Sequence, residues 1–203
     1  MPANRYELKD GTRVPGVTTI VNQLDKPQLL DWAWRLGKEG KDWREERDSA
    51  GDIGTLVHEA VLKALTGEDK CPTFGDEIIL KCFDKFIDWW GDMGFPAIEL
   101  AEKALISEGL QFGGQPDLVY EYDNKLRLCD IKTSNGIYDS YWYQLAGYDI
   151  LLKENGYKVD EYQILWLPKD DRFDCPIRTD LRREKRIFKA LLEIYKNRHF
   201  KEL

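Results

Sequence analysis

Asp130 and Lys132 stand two residues apart in the run Leu126-Arg127-Leu128-Cys129-Asp130-Ile131-Lys132. Its period-2 alternation fits a strand and sets a carboxylate and an ammonium on one face. The run before it, Phe112 to Tyr122, carries Gly113-Gly114-Gln115-Pro116-Asp117, and turn residues Asp123-Asn124-Lys125 join the two. If Glu121 faces Leu126 across that hairpin, Asp117 falls opposite Asp130, with Cβ atoms about 5 Å apart. Two carboxylates at such range repel, and a hard divalent cation such as Mg²⁺ relieves the repulsion through oxygen ligands. Such a cation polarises a phosphoryl oxygen and activates water, while Lys132 orients the nucleophile or stabilises charge building on phosphorus. The chemistry this constellation suits is phosphodiester hydrolysis.

The triplet alone carries little weight, since Asp-x-Lys occurs twice, at Asp123–Lys125 and Asp130–Lys132. The first sits in a turn. The second presents charge on a strand that otherwise buries Leu126 and Leu128, which fits a metal site or a salt bridge at a strand end. In Gly54-Thr55-Leu56-Val57-His58 the glycine and histidine are one helical turn apart, and His58 lies at the margin of an apolar stripe. It is a ligand or a solvated edge histidine. Gln144 and Tyr148 share a helix face, where they either pack at a core edge or reach a nucleic-acid backbone or base.

The elements that must hold these residues read as an α/β layered core with a helical N-terminal extension. Over the first ninety or so residues, helices are expected from Val17 to Leu24, from Pro27 through Leu36, from near Ala50 to Gly67, and from Asp76 to Trp90. The period then changes. Three strands are expected at Ile98–Ser107, Phe112–Tyr122 and Leu126–Thr133. A helix capped by Asp139-Ser140 runs to Gly156, a strand spans Tyr162–Leu167, and a closing helix covers Arg182–Lys196.

The chain has 203 residues, 42% apolar and 33% charged, which excludes disordered and collagenous classes and suits one domain. No apolar run approaches the roughly 18 residues of a membrane span, and no apolar signal core follows Met1-Pro2-Ala3-Asn4-Arg5. A cytoplasmic protein without membrane contact is expected. Cys71, Cys82, Cys129 and Cys175 are scattered, without metal-finger or disulfide spacing, and read as buried thiols. The net charge is −7, but residues 178–201 hold nine Lys/Arg against three Asp/Glu, a local +6 on a body of −13. That segment is a solvated amphipathic helix face or part of a nucleic-acid surface.

The ordered set Gly54-x-x-x-His58, Glu102, Gly114-x-Pro116-Asp117, Asp130-x-Lys132 and Gln144-x-x-x-Tyr148 resembles the PD-(D/E)xK nuclease superfamily. It is similar in particular to the RecB-like exonuclease branch and its small stand-alone phage forms. The resemblance spans about Val14 to Leu167, since Val14-Pro15-Gly16-Val17-Thr18-Thr19-Ile20 and the helix around Trp32 also look like those proteins. Each motif is weak alone; the order and spacing of all five make the resemblance.

It implies a restriction-endonuclease-like core, a central mixed β-sheet flanked by helices, in a single nuclease domain over 1–203. Within it, 1–95 would be mainly helical, 96–168 would hold the catalytic sheet and the Gln/Tyr helix, and 169–203 the closing helix. It further implies a Mg²⁺- or Mn²⁺-dependent deoxyribonuclease, with His58, Asp117 and Asp130 on the metal and Lys132 as catalytic lysine. Glu102, with Glu99 close by, would be the acidic residue of the first strand, and Gln144 and Tyr148 would contact DNA. An exonuclease acting at DNA ends in phage recombination, repair or genome processing is expected. A structure-specific or nicking endonuclease, an inactive DNA-end-binding module and a plain structural α/β domain are the alternatives. One C-terminal cysteine where cluster-bearing relatives have three implies no iron–sulfur cluster. No phosphate loop of the G-x-x-x-x-G-K-[ST] form is present, so processivity would need a recombination or replication partner, or an oligomer.

Overall fold

The computed structural model describes residues 6–68 and 75–199, so Met1–Arg5, Cys71 and Lys201 lie outside the described residues. In chain order the elements are β1 (Tyr6–Glu7), β2 (Arg13–Val14), α1 (Val17–Val21), α2 (Pro27–Lys38), α3 (Trp43–Thr66) and α4 (Glu77–Asp92). There follow β3 (Ala97–Ala101), β4 (Leu105–Ser107), β5 (Phe112–Gly114), β6 (Leu118–Tyr122) and β7 (Lys125–Lys132). The chain closes with α5 (Asp139–Glu154), β8 (Glu161–Trp166), β9 (Ile177–Arg178) and α6 (Arg182–His199). Five strands form one mixed sheet in the order β3-β6-β7-β8-β9, in which only β7 and β8 run parallel.

Side-chain alternation along these strands feeds two cores. On one face Val119, Leu128 and Ile164 pack with Leu145 and Leu151 of α5, Phe188 of α6 and Ile20 of α1. On the other, Leu118, Tyr120, Cys129, Ile131 and Leu165 meet Val57 of α3 and Phe86 and Trp90 of α4. The architecture is the α/β sheet flanked by helices that the sequence implies. No helix among the described residues is long and apolar enough to cross a membrane.

The hairpin that carries the acids has the expected register. Glu121 pairs Leu126 and the ladder runs back to Leu118 opposite Cys129. Asp123 and Asn124 both take positive φ, 53° and 58°, the two-residue turn that Asx side chains tolerate best.

Other boundaries differ from expectation. The segments 98–107 and 112–122 are not continuous strands: each breaks, and the back half of the first, β4, pairs with the front half of the second, β5, apart from the main sheet. Glu102 sits at φ 42°, a left-handed conformation for a non-glycine, and Pro116 has no N–H for a ladder, so both chains bend at one place. The bend is bridged by Glu102 N–H to Asp117 O (3.1 Å) and by Gln115 Nε2 to Glu102 Oε2 (3.3 Å).

The N-terminal part is not wholly helical, because Tyr6 and Glu7 pair with Val14 and Arg13. α3 starts at Trp43, seven residues before Ala50, with Asp42 accepting from Arg44 N–H as its cap. Asp139 lies inside the first turn of α5 rather than capping it; Tyr138 holds the cap position without a side-chain bond. Gly114 tolerates no side chain, since a Cβ there would fall 2.8 Å from Leu151 and Val17 and 2.9 Å from Tyr148.

Candidate active site

β7 delivers Asp130 and Lys132 at its C-terminal end, where the bend before β6 presents Asp117 and α3 brings His58. Asp130 is fully buried. Lys132 Nζ stands 2.6 Å from its Oδ2, a charge-assisted contact, and among the described residues no other group reaches either carboxylate oxygen. Asp117 Oδ2 accepts the Ile131 N–H at 2.7 Å, and its Oδ1 lies 3.6 Å from His58 Nδ1. His58 Nε2 is 3.1 Å from the Ile131 carbonyl. The backbone of Ile131, between the two expected residues, thus orients both Asp117 and His58. Gly54 lets α3 come this near, because a Cβ there would sit 3.2 Å from Thr133 Oγ1.

The electrostatics follow from burial beside like charge. Burial pushes the Asp130 carboxyl up to about 6; Lys132 pulls it down and Asp117 pushes it up again. Burial acts to lower the Lys132 ammonium, but Asp130 and Asp117 more than offset it and hold Lys132 above its ordinary value, hence charged. Glu102 is raised, by burial first and then by Asp117. It lies beside Asp117 through the backbone bond at the bend, whereas Glu99 is exposed in the irregular stretch of β3. The Lys132 ammonium also rests 5.1 Å from the centre of the Tyr141 ring, a contact that fixes its direction.

Gln144 and Tyr148 share a face of α5, as their spacing requires, but they are partners of each other. Gln144 Nε2 donates to Tyr148 Oη at 2.9 Å and reaches Thr18 Oγ1 at 3.2 Å. Tyr148 is buried, and burial lifts its phenol well above the ordinary value, with Asp130 and Asp117 adding to the effect. Thr18 is exposed at this patch, in the Val17-Thr18-Thr19-Ile20 stretch that the sequence singled out only as a resemblance. Tyr141 and the Ile131 backbone carried no sequence signal. The basic helix α6 packs on α5 and α1, with Arg182 engaged by Asp180 and Lys185 by Asp149.

Among the described residues, no three His, Cys, Asp or Glu side chains already converge as a finished cage. The donor set nevertheless fits a hard divalent ion. Asp130 is buried with Lys132 as its counter-charge at Oδ2, while its Oδ1 has no partner among the described residues, which leaves an anionic oxygen free for a second cation or a proton. Asp117 and the His58 ring adjoin it, and one nitrogen with carboxylate oxygens suits Mg²⁺ or Mn²⁺.

No family model and no curated protein matches the chain. Solved structures are similar to it in fold. One is a protein of Eubacterium rectale provisionally described as an exonuclease, with a TM-score of 0.47, 13% identity, and coverage of 72% of this chain and 65% of that one. The alkaline exonuclease LHK-Exo of Laribacter hongkongensis has a TM-score of 0.36 and 18% identity, over 60% of this chain and 68% of that one. Its complex with dAMP has a TM-score of 0.35 and 16% identity, over 71% and 83%. The mixed sheet with its helical flanks is the architecture that the sequence resemblance implies. At these scores the likeness assigns no residue a role, and the site stands on its own geometry.

Proposed function

We propose that the chain is a divalent-metal-dependent deoxyribonuclease, a Mg²⁺- or Mn²⁺-using exonuclease acting at DNA ends in phage recombination, repair or genome processing. The observation that carries the reading is the buried Asp130 carboxylate, paired with a charged Lys132 at one oxygen and open at the other, with Asp117 and His58 adjoining. His58, Asp117 and Asp130 would hold the ion, and Glu102 adds negative charge at the bend. When bound, the ion supplies Lewis acidity at the scissile phosphate and a more acidic water.

Lys132 does the rest of the electrostatic work. Its ammonium, aimed by Asp130 and Tyr141, meets the negative charge that develops on the oxygens of the pentacoordinate phosphorus and orients the attacking water. The Thr18, Gln144 and Tyr148 group lies beside the acids and offers hydroxyl and amide partners to the DNA backbone once their mutual bonds are exchanged. Processivity is left to a partner protein or to assembly.

End-labelled linear DNA and covalently closed circular DNA, each single- and double-stranded, test the proposal in Mg²⁺, Mn²⁺ or EDTA. Linear substrates should be degraded to mononucleotides or short products, circles should persist, and EDTA should stop the reaction. Rapid loss of circles would favour an endonuclease, and cleavage unaffected by EDTA would remove the metal from the account.

A further inference from the structure

The face of α3 that ends at His58 continues away from the site as a stripe of unusual composition. Counting about 100° per residue back from His58, Gly54, Gly51, Arg47 and Arg44 all fall within about 40° of its direction. The acids of the same helix, Glu45, Glu46, Asp48, Asp52 and Glu59, lie about 80° or more to the side. A protein of net charge −7 thus keeps one acid-free lane that runs into its candidate metal site.

The glycines are informative because a helix interior disfavours them. A Cβ at Gly51 would meet nothing within 4 Å, so no packing inside the chain requires the missing side chain. Its absence leaves the helix backbone open to close approach from outside. Beyond the gap, Arg44 and Arg47 are exposed, and their guanidinium carbons lie 5.0 and 5.1 Å from the centre of the Trp43 ring. The indole therefore gathers both cations at one place. Arg47 is also paired with Asp48 at 2.7 Å, a surface contact that a phosphate can replace.

From this lane we infer that a DNA strand runs along α3, its backbone crossing the bare helix at Gly51 and its phosphates meeting Arg47 and Arg44. The inference rests on the nuclease reading for the position of the scissile phosphate. Arg47 and Arg44 lie 11 and 14 residues from His58, about 16 and 21 Å along the helix, which corresponds to about five or six nucleotide steps of duplex. The anchor is therefore remote from the chemistry and serves grip. It also moves the main phosphate contacts from α6, the basic helix that the charge count favoured, to α3.

Binding of fluorescein-labelled oligonucleotides to the full chain, followed by anisotropy in EDTA across a salt series, tests this without cleavage. Arg44→Ala/Arg47→Ala should raise Kd about tenfold at 0.1 M salt and flatten the log–log salt slope by about 1.4–1.8. Lys63→Ala removes a cation from the same helix about 140° round from His58, and should leave Kd within twofold. Gly51→Leu should not lower Tm, because leucine is the better helix former, yet it should weaken binding at least threefold by filling the lane. An unchanged Kd and slope in the double variant, or a larger loss from Arg183→Ala/Arg186→Ala on α6, would overturn the inference. A wild type that binds DNA with these dependences but never cleaves it would refute the nuclease reading and leave the lane standing. A wild type that cleaves, with a double variant of unaltered binding, would refute the lane alone.

Discussion

Asp130→Asn and Lys132→Gln are each expected to lower DNA cleavage by about a thousandfold or more, through different losses. The asparagine removes the anionic oxygens that a cation needs, so cleavage and Mn²⁺ binding should fall together. The glutamine, one atom shorter, keeps a hydrogen-bond donor but removes the ammonium held against Asp130, so Mn²⁺ should still bind while turnover disappears. Donors aimed at developing charge are worth roughly 10²–10³ in rate in water-excluded sites, and Lys132, with 16% of its side chain exposed, approaches that condition. Replacements that keep a donor matter here: an alanine at Lys132 would leave a buried carboxylate unpaired and confound catalysis with folding. Near-normal rates in either variant would detach the chemistry from β7.

The second large effect concerns stability without metal. The folded-state value of Asp130, about 6, stands above its ordinary 3.8, so the fold favours the protonated acid. The stability this contributes is fully present below about pH 3.8 and is lost as pH rises through 6. At pH 7.5 the metal-free protein therefore carries an ionised, buried carboxylate at a cost on the order of 2–3 kcal/mol. Asp130→Asn should relieve most of it, raising Tm in EDTA by roughly 5 °C at pH 7.5 and by little at pH 4. Mg²⁺ should raise the Tm of the wild type and leave that of the variant unchanged. A variant that melts below the wild type in EDTA at pH 7.5 would show that Asp130 is paid for inside the fold and has no need of a cation.

The parts of this site legible in the sequence were those fixed by strong local periodicity. Alternation in Leu126–Lys132 and the Asp123-Asn124 turn set the register that points Asp117 toward Asp130, and Gly67 in left-handed conformation ends α3 after the His58 stripe. The bend was not legible. Glu102 takes its positive φ only because β4 and β5 peel away together, a tertiary event that neither segment encodes alone. The start of α3 escaped because Arg44–Asp48 is charged throughout and shows no apolar stripe. That same absence of packing leaves Arg44 and Arg47 exposed. β1, β2 and β9 are two residues each, shorter than any period can register. The bond from Gln144 to Thr18 joins residues 126 apart, so only the folded chain reveals that the two adjoin.

The central claim is that one divalent ion is held between the end of β7, the bend before β6 and α3. Crystals of the wild-type chain grown or soaked with Mn²⁺ and measured at the manganese absorption edge test it most directly. The account predicts an anomalous peak about 2.0–2.3 Å from an Asp130 oxygen, an Asp117 oxygen and a His58 ring nitrogen. It also predicts that the peak vanishes in Asp130→Asn and survives in Lys132→Gln. A peak elsewhere, or none at Mn²⁺ concentrations that support cleavage, would contradict it.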